Sequence, residues 1–415
     1  RAMQAMTYFV PDLLALALRN LFRHRSRTLA TLFAIALGVA SMILAGGFVK
    51  DILIQLGEAT IHSQTGHIQL AKPAYWASRS RTSDSLMIEN PSAAKRSLTT
   101  VEGIEQVVSR VNFVGMISNG KRDLAIVGEG IEPDGERKIG SFIRYIEGRP
   151  LDESDSSGMV IGQGIARSLN LQVGDSATLI LSLSQGAINT MDFQIVGIFQ
   201  SFSKEFDTRA IRIPLLATQE LLDTKSAHAL VMTLNQTNET DAVATAIRSL
   251  VMNQGLSVKT WREISDFYEK TVQLYGAQFG VLRLIIFLMV LLSVANSINM
   301  TLFERTREFG TLLALGNRPQ TVFELIMIET VLLGLVGAGL GMVAGGIVAY
   351  VISAIGIPMP PPPNSNLGYI ALIRLEPIQV LTSGAIGFCA TVFAALYPAH
   401  RATKINVVDA LRHGV

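Results

Sequence analysis

The sequence predicts an α-helical membrane protein with four transmembrane helices, plus a large α+β extracytoplasmic (periplasmic) domain between the first and second helices. Three observations carry that expectation. Four apolar stretches, lying within residues 28–50, 275–303, 320–356 and 378–398, are each long enough to cross a hydrocarbon core, which takes about 20 residues. One long polar stretch, 51–274, separates the first from the other three and contains no such run. The composition lies between two classes. With 49% hydrophobic and 16% charged residues in a chain of 415, and a mean hydropathy of +0.37, the chain is too apolar for a soluble protein and too polar for one embedded throughout.

Composition also excludes. The net charge of +2 is small, and no Lys/Arg-rich run has interleaved aromatics, so nucleic acid is not an expected partner. The single cysteine, Cys389, sits in an apolar stretch. It permits no intrachain disulfide and no cysteine-based metal site.

Taken in order, residues 1–27 read as a cytoplasmic amphipathic helix. Pro11 and Asp12 suit a helix start. Leu13, Leu14, Leu16, Leu18, Leu21 and Phe22 supply an apolar band, and Arg19, Arg23, His24, Arg25 and Arg27 supply charge, as on a membrane surface. A cleaved signal peptide is the competing reading. The internal basic cluster and the lack of a small-residue cleavage site disfavour it. Residues 28–50 form the first span. Its Ala34, Gly38, Ala40, Ser41, Ala45 and Gly46 allow close helix approach, and the arginines before it hold its start in the cytoplasm.

The domain at 51–274 begins with Asp51–Ile61, a stalk continuing the first helix, and ends with a second stalk, Trp261–Gln273. Gln106–Ile117 and Leu124–Ile131 flank Asn119-Gly120, a hairpin signal. Met159–Ile161, Ala177–Leu183, Phe193–Phe199, Ala210–Ile213 and Leu230–Leu234 read as strands. Gln163–Leu169, Gln219–Asp223 and Asp241–Asn253 read as helices, and Ser78–Pro91 as a loop. Strands and helices intermixed without steady βαβ alternation predict α+β.

The second span, 275–303, carries Arg283 near its outer end and Asn296 and Asn299 near its inner end. Asn296 is a candidate intramembrane polar site. Residues 304–319 hold a knot of charge, Glu304, Arg305, Arg307 and Glu308. Charge this dense is costly in a bilayer core, so the chain surfaces here, and its arginines place it in the cytoplasm. A short coupling helix is expected. The third span, 320–356, has Gly337, Gly341 and Gly345 along one face, suited to tight helix packing. Glu329 lies at its inner edge, as a functional acid or as a structural partner of Arg305 or Arg318. Pro358-Met359-Pro360-Pro361-Pro362-Pro363 starts a periplasmic loop, 357–377. After the fourth span, 378–398, comes a basic tail, 399–415. Both termini are then cytoplasmic, in a bacterial inner membrane.

No catalytic pattern is present. GxxxxGK[ST], HExxH and GxSxG are all missing, and the six histidines are scattered. Gly128-Glu129-Gly130 and Gly162-Gln163-Gly164 read as turns. The chain is therefore not expected to be an enzyme. Alone, the charged knot is equally a solvated loop with weak surface ion pairs.

With its neighbours it resembles something specific. NSINMTLFERTREFGTLLALG (296–316) is similar to the region joining the second and third membrane helices in the MacB/FtsX-like ABC transporter permease superfamily. That pattern is an asparagine followed by ER-x-x-E-[IF]-G-x-L-x-A-[LM]-G. It is matched by Asn296, Glu304, Arg305, Glu308, Phe309, Gly310, Leu312, Ala314, Leu315 and Gly316. ALRNLFRHRSRTLATLFAIALGVA (17–40), VIGQGIARSLNLQVGDSATL (160–179), FQIVGIF (193–199), IMIETVLLGLVGAGLG (326–341) and PAHRATKINVVDALR (398–412) resemble other parts of the family, in order.

The resemblance implies a permease subunit, working as a homodimer with two copies of a separate cytoplasmic ABC ATPase. ATP and Mg would be bound by that ATPase. Glu304, Arg305, Glu308, Phe309 and Gly310 would couple to it, and the stalks would carry the motion outward as mechanotransmission. In plan the chain is closest to LolC/LolE-type lipoprotein-release permeases, which IHSQTGHIQL (61–70) also resembles; the proline run departs from them. The implied client is a lipoprotein, another lipid or a periplasmic protein. The alternatives are an FtsX-like regulatory module activating a periplasmic partner, an efflux permease working with a periplasmic adaptor, and a membrane sensor without an ATPase.

Overall fold

The computed structural model describes residues 25–77, 83–183, 186–252, 254–361 and 368–404. Most of the expected N-terminal helix, residues 405–415 of the tail and residues 362–367 of the proline-rich loop lie outside them. The chain divides into two units. One comprises residues 1–53, 272–357 and 370–415, and the other comprises residues 54–271 and 358–369.

The first unit is helical. Its helices are α1 (Arg25–Thr60), α2 (Asp266–Ala314), α3 (Pro319–Ile355) and α4 (Pro377–Ala402). All four are long and apolar enough to cross a membrane. The chain passes between units within α1 and within α2. The expected separate coupling helix does not exist as an element: residues 304–314 are the last turns of α2. The cause is local. Nothing from Phe303 to Ala314 breaks a helix, and the first residue to do so is Gly316, at φ 90°. There the Gly316 amide donates to the Leu313 carbonyl and the Asn317 amide to that of Leu312, both at 3.1 Å, the pattern of a glycine-terminated helix. Arg318 is extended and Pro319 opens α3, where its missing N–H costs nothing.

The helical core follows a four-residue stripe on α2, with Val290, Val294, Ile298, Leu302 and Phe309 buried. It packs with Ile35, Val39, Met42 and Ile43 of α1. Gly337, Gly341 and Gly345 face α1. A Cβ on each would lie 2.9 Å from Ile35, 2.7 Å from Val39 and 3.1 Å from the Ala40 backbone, so no larger residue fits without moving a helix. Asp51, fully buried, accepts from the Leu372 amide and from Arg374 Nε, each at 2.9 Å. This ties α1 to the segment before α4.

The second unit is built on a ten-stranded mixed sheet. Its strands are β1 (Ile68–Ala71), β2 (Ile104–Ser118), β3 (Asp123–Ile131), β4 (Arg144–Gly148), β5 (Gly158–Gly162), β6 (Ser176–Ser182), β7 (Ile188–Gln200), β8 (Ala210–Pro214), β9 (Ala229–Leu234) and β10 (Ser257–Thr260). Their order is β10-β1-β9-β2-β3-β8-β5-β7-β4, with β6 against β2 and β7. Most pairs are antiparallel, and β3–β8 and β5–β7 are parallel. The long strand β2 serves two cores. Residues 104–110 pair with β9, beside a core of β1, β9 and helix Thr240–Val251. Residues 111–118 pair with β3, beside a core of β5, β6, β7, β8 and helix Gln163–Leu169.

The β2–β3 connection carries the turn signal read from Asn119-Gly120. Gly120 has φ 79°, and Asn119 Oδ1 accepts from the Lys121 and Arg122 amides. Three strands of this sheet escaped the sequence reading: β1, β4 and β10. All are short, and β1 is buried on both faces, so it shows no alternation. The expected second stalk is interrupted. Helix Trp261–Ile264 ends at Ser265, whose hydroxyl then accepts from the Tyr268 amide inside α2 at 3.3 Å.

Candidate functional site

The charged end of α2 gathers polar side chains from three helices. Its side chains follow from helix spacing. Ser297, Thr301, Arg305 and Phe309 recur every four residues and so share one face of α2. Arg27 and Thr31 do the same on α1. Glu329 and Thr330 come from about the third and fourth turns of α3. Together they line a cavity of about 60 Å³.

Three contacts organise it. The Thr31 and Ser297 hydroxyls meet at 2.6 Å. Arg27 grips Glu304 with two donors, at 2.5 and 2.6 Å. Arg305, buried with 7% exposure, donates Nε to Glu308 at 3.0 Å and Nη1 to both oxygens of Glu329, at 3.0 and 2.9 Å. Its guanidinium lies 4.9 Å from the Phe309 ring centre, a cation–π distance. Arg305 thus spans the α2–α3 turn, while Glu304 binds the first turns of α1. Three helices are fastened at one end by ion pairs rather than by apolar packing alone.

The five residues expected to couple differ in exposure. Arg305, Phe309 and Gly310 are buried and form the framework of the elbow, not its outer surface. Glu304 is partly exposed but engaged by Arg27. Glu308 is partly exposed and engaged by Arg305. The outward surface is instead made by Arg307, Thr311, Ala314, Leu315, Gly316 and Arg318, all exposed. Glu329 takes the structural place, as the partner of Arg305. Asn296 is exposed and lies outside the cavity wall, where Ser297 stands.

Sequence reasoning read Arg27 only as part of a basic cluster and passed over Thr31, Ser297, Thr301 and Thr330. The signal was present in the four-residue recurrence of Ser297, Thr301 and Arg305. Hydroxyls in an apolar helix usually return to their own backbone, as Thr301 does to the Ser297 carbonyl at 2.9 Å, so each alone is uninformative. Among the described residues, no group of three or more His, Cys, Asp or Glu side chains is placed to hold a metal.

Two family models match the chain. A MacB-like periplasmic core domain matches residues 28–250, and an FtsX-like permease C-terminal model matches residues 280–407. An uncharacterized ABC transporter permease of Methanocaldococcus jannaschii is 22% identical over 435 residues, spanning 97% of this chain and 98% of that one. The lipoprotein-releasing system transmembrane protein LolC of Neisseria meningitidis is 22% identical over 412 residues, spanning 93% of this chain and 94% of LolC. The macrolide export ATP-binding/permease protein MacB of Campylobacter jejuni is 23% identical over 409 residues, spanning 95% of this chain but 60% of MacB.

Proposed function

The chain belongs to the ABC transporter permeases of the MacB/FtsX/LolC type, and from that premise we propose that it converts ATP-driven force at the α2–α3 turn into motion of its strand-built unit. Membership implies a cytoplasmic ABC ATPase as partner. In this reading the ATPase, carrying ATP and Mg, seats on Arg307, Thr311, Ala314, Leu315 and Arg318. Positive charge at Arg25, Arg27, Arg307 and Arg318 supports a cytoplasmic position for that end of the helices, with the strand-built unit on the periplasmic side of an inner membrane in this reading.

The observation that carries the proposal is Arg305, buried and bonded to both Glu308 and Glu329. A solvated loop would absorb a push. An elbow closed by a buried ion pair, with Arg27 and Glu304 holding α1 to it, moves as one piece. The lever arms suit the task. At about 1.5 Å per residue, the 36 residues of α1 and the 49 of α2 make rods of roughly 54 and 74 Å, well beyond the ~30 Å hydrocarbon core.

The client we infer is a lipoprotein or another lipidic molecule, supported by the near full-length similarity to LolC. A second reading, export with a periplasmic adaptor, is supported by the similarity to MacB, which covers 95% of this chain against 93% for LolC. Two copies related by a two-fold axis form the working unit, since closed two-fold pairs are the commonest assembly.

The test places one spin label at Lys225, exposed in the strand-built unit, in the complex reconstituted in lipid nanodiscs. The distance between labels in the paired copies is then measured with and without ATP. A shift on ATP binding is expected. An unchanged distance in a complex that hydrolyses ATP would contradict the proposal.

A further inference from the structure

The end of α1 that belongs to the strand-built unit stops in an uncommon way. It widens into a π-helical turn, Ile61–Thr65, before Gly66, at φ 63°, redirects the chain toward β1. A helix end leaves its final carbonyls without intrahelical partners. Here they are met from elsewhere in the same unit. The His62 carbonyl accepts from the Phe142 amide at 3.2 Å. The Ser63 carbonyl accepts from Arg212 Nη2 at 3.0 Å, and the Gln64 carbonyl from Arg110 Nη1.

Both arginines are almost fully buried, at 3% exposure for Arg110 on β2 and 2% for Arg212 on β8. Both also donate to acids. Arg110 makes a two-pronged contact with Glu136, itself 4% exposed. Arg212 Nε donates to Glu129 of β3 at 2.8 Å, and Glu129 also lies 4.0 Å from Arg110. Burial alone would raise the Glu136 carboxyl, but Arg110, with help from Arg212, holds it below the ordinary range. The pair is ionised.

Four charges inside a domain are not the most stable filling. Apolar residues of similar volume often do as well or better. Guanidinium groups supply what hydrocarbon lacks, which is direction. Their planar forks fix the acceptors in place, and their charge suits the negative end of a helix. A second contact holds the same region: a Cβ on Gly57 would lie 2.8 Å from the Trp261 ring, and the Trp261 amide donates to the His67 carbonyl at 2.9 Å.

We propose that Arg110 and Arg212 are positioning residues that lock the end of α1 to β2 and β8, so that displacement of α1 is delivered to the sheet instead of being lost in a loose joint. This rests on the coupling reading above. The effect is mechanical, so its test needs a readout that stability alone does not move.

The test is hydrogen exchange of the full-length chain, in nanodiscs with its ATPase, with and without a non-hydrolysable ATP analogue. Two variants are compared with the parent. Arg110→Met with Glu136→Leu removes a charge pair without leaving a bare charge. Arg212→Lys keeps the charge and gives up the planar fork. In the parent, nucleotide should alter exchange both at 304–318 and in β2 and β8. In the double variant the response at 304–318 should persist while that of β2 and β8 falls several-fold, with Arg212→Lys between the two. A double variant that keeps the full strand response overturns the proposal. If it does not fold, Arg212→Lys decides, and an undiminished strand response there overturns it equally. A parent that responds at 304–318 but not in the strands also overturns it, leaving ATPase docking intact. A parent with no response at either place contradicts the coupling reading itself.

Discussion

The helical unit and the strand-built unit each bury a cluster of arginines and acids, and the two are assembled differently. In the helical unit the acceptors of Arg305 are Glu308, one turn away, and Glu329, on the next helix. In the strand-built unit Arg110, Glu129, Glu136 and Arg212 come from three strands and a helix, and two of their donors go to the carbonyls that end α1. The first cluster joins neighbours along the chain and keeps one acid, Glu308, partly in water. The second joins distant segments and buries Arg110, Arg212 and Glu136 almost completely. The same chemistry therefore closes an elbow between successive helices in one place and a socket around a helix end in the other.

That contrast can be broken by mutation. The largest effect is expected for Arg110→Met alone, which strands Glu136 as a bare buried charge. Breaking a buried pair costs about 3–5 kcal/mol, enough to lower the melting temperature of the full-length protein in nanodiscs steeply. Arg305→Met should cost less, about 3 kcal/mol at most, since Glu308 can turn to water. Adding Glu329→Leu should recover much of that loss, so a double-mutant cycle on melting temperature would show strong coupling. Additive losses would mean that the Arg305–Glu329 contact does not matter to the fold. Glu308→Lys follows from the same geometry. The site is only partly solvated, so the substitution sets a cation beside Arg305 and should weaken the elbow as well as ATPase stimulation.

Acid should act on the strand-built unit. His67 and His228 are buried there, and loss of hydration foremost pushes both imidazoles down to about 4 from an ordinary 6.5. The folded unit then holds these rings neutral while the unfolded chain protonates them. Stability from this source is complete above about pH 6.5. It declines as pH falls toward 4, by up to ~1.4 kcal/mol per pH unit for each ring. Melting curves between those limits check this, and His67→Gln should flatten the slope. The smallest effect belongs to Glu304→Gln. Its bond to Arg27 is partly exposed, so about 1 kcal/mol or less is expected, shrinking further at high salt.

Legibility followed distance along the chain. The apolar runs and the Asn119-Gly120 turn were readable because hydropathy and turn chemistry are local. That residues 304–314 continue α2 rather than form a separate helix was not legible, because helix continuity depends on Gly316 and Pro319 and not on charge. At the elbow the residues Glu304, Arg305 and Glu308 were legible as a knot, and Glu329 as a candidate partner for Arg305. Which of them face outward was not, since burial of Arg305 and Phe309 depends on α1 and α3. Arg110 and Arg212 left no trace in the sequence. Each has apolar neighbours in its strand, and its meaning appears only when the π-helical turn at 61–65 is brought to it.

The central claim is that the α2–α3 turn receives an ATPase. Its most direct test is a pull-down of the tagged chain from its native membrane in mild detergent, followed by mass spectrometry, with Leu315→Asp/Arg307→Glu alongside. Leu315 is 77% exposed, so this variant should fold normally. The account predicts an ABC ATPase in stoichiometric amount with the parent chain, lost or strongly reduced with the variant. A parent chain that brings no ATPase, or a variant that retains it in full, would contradict the account.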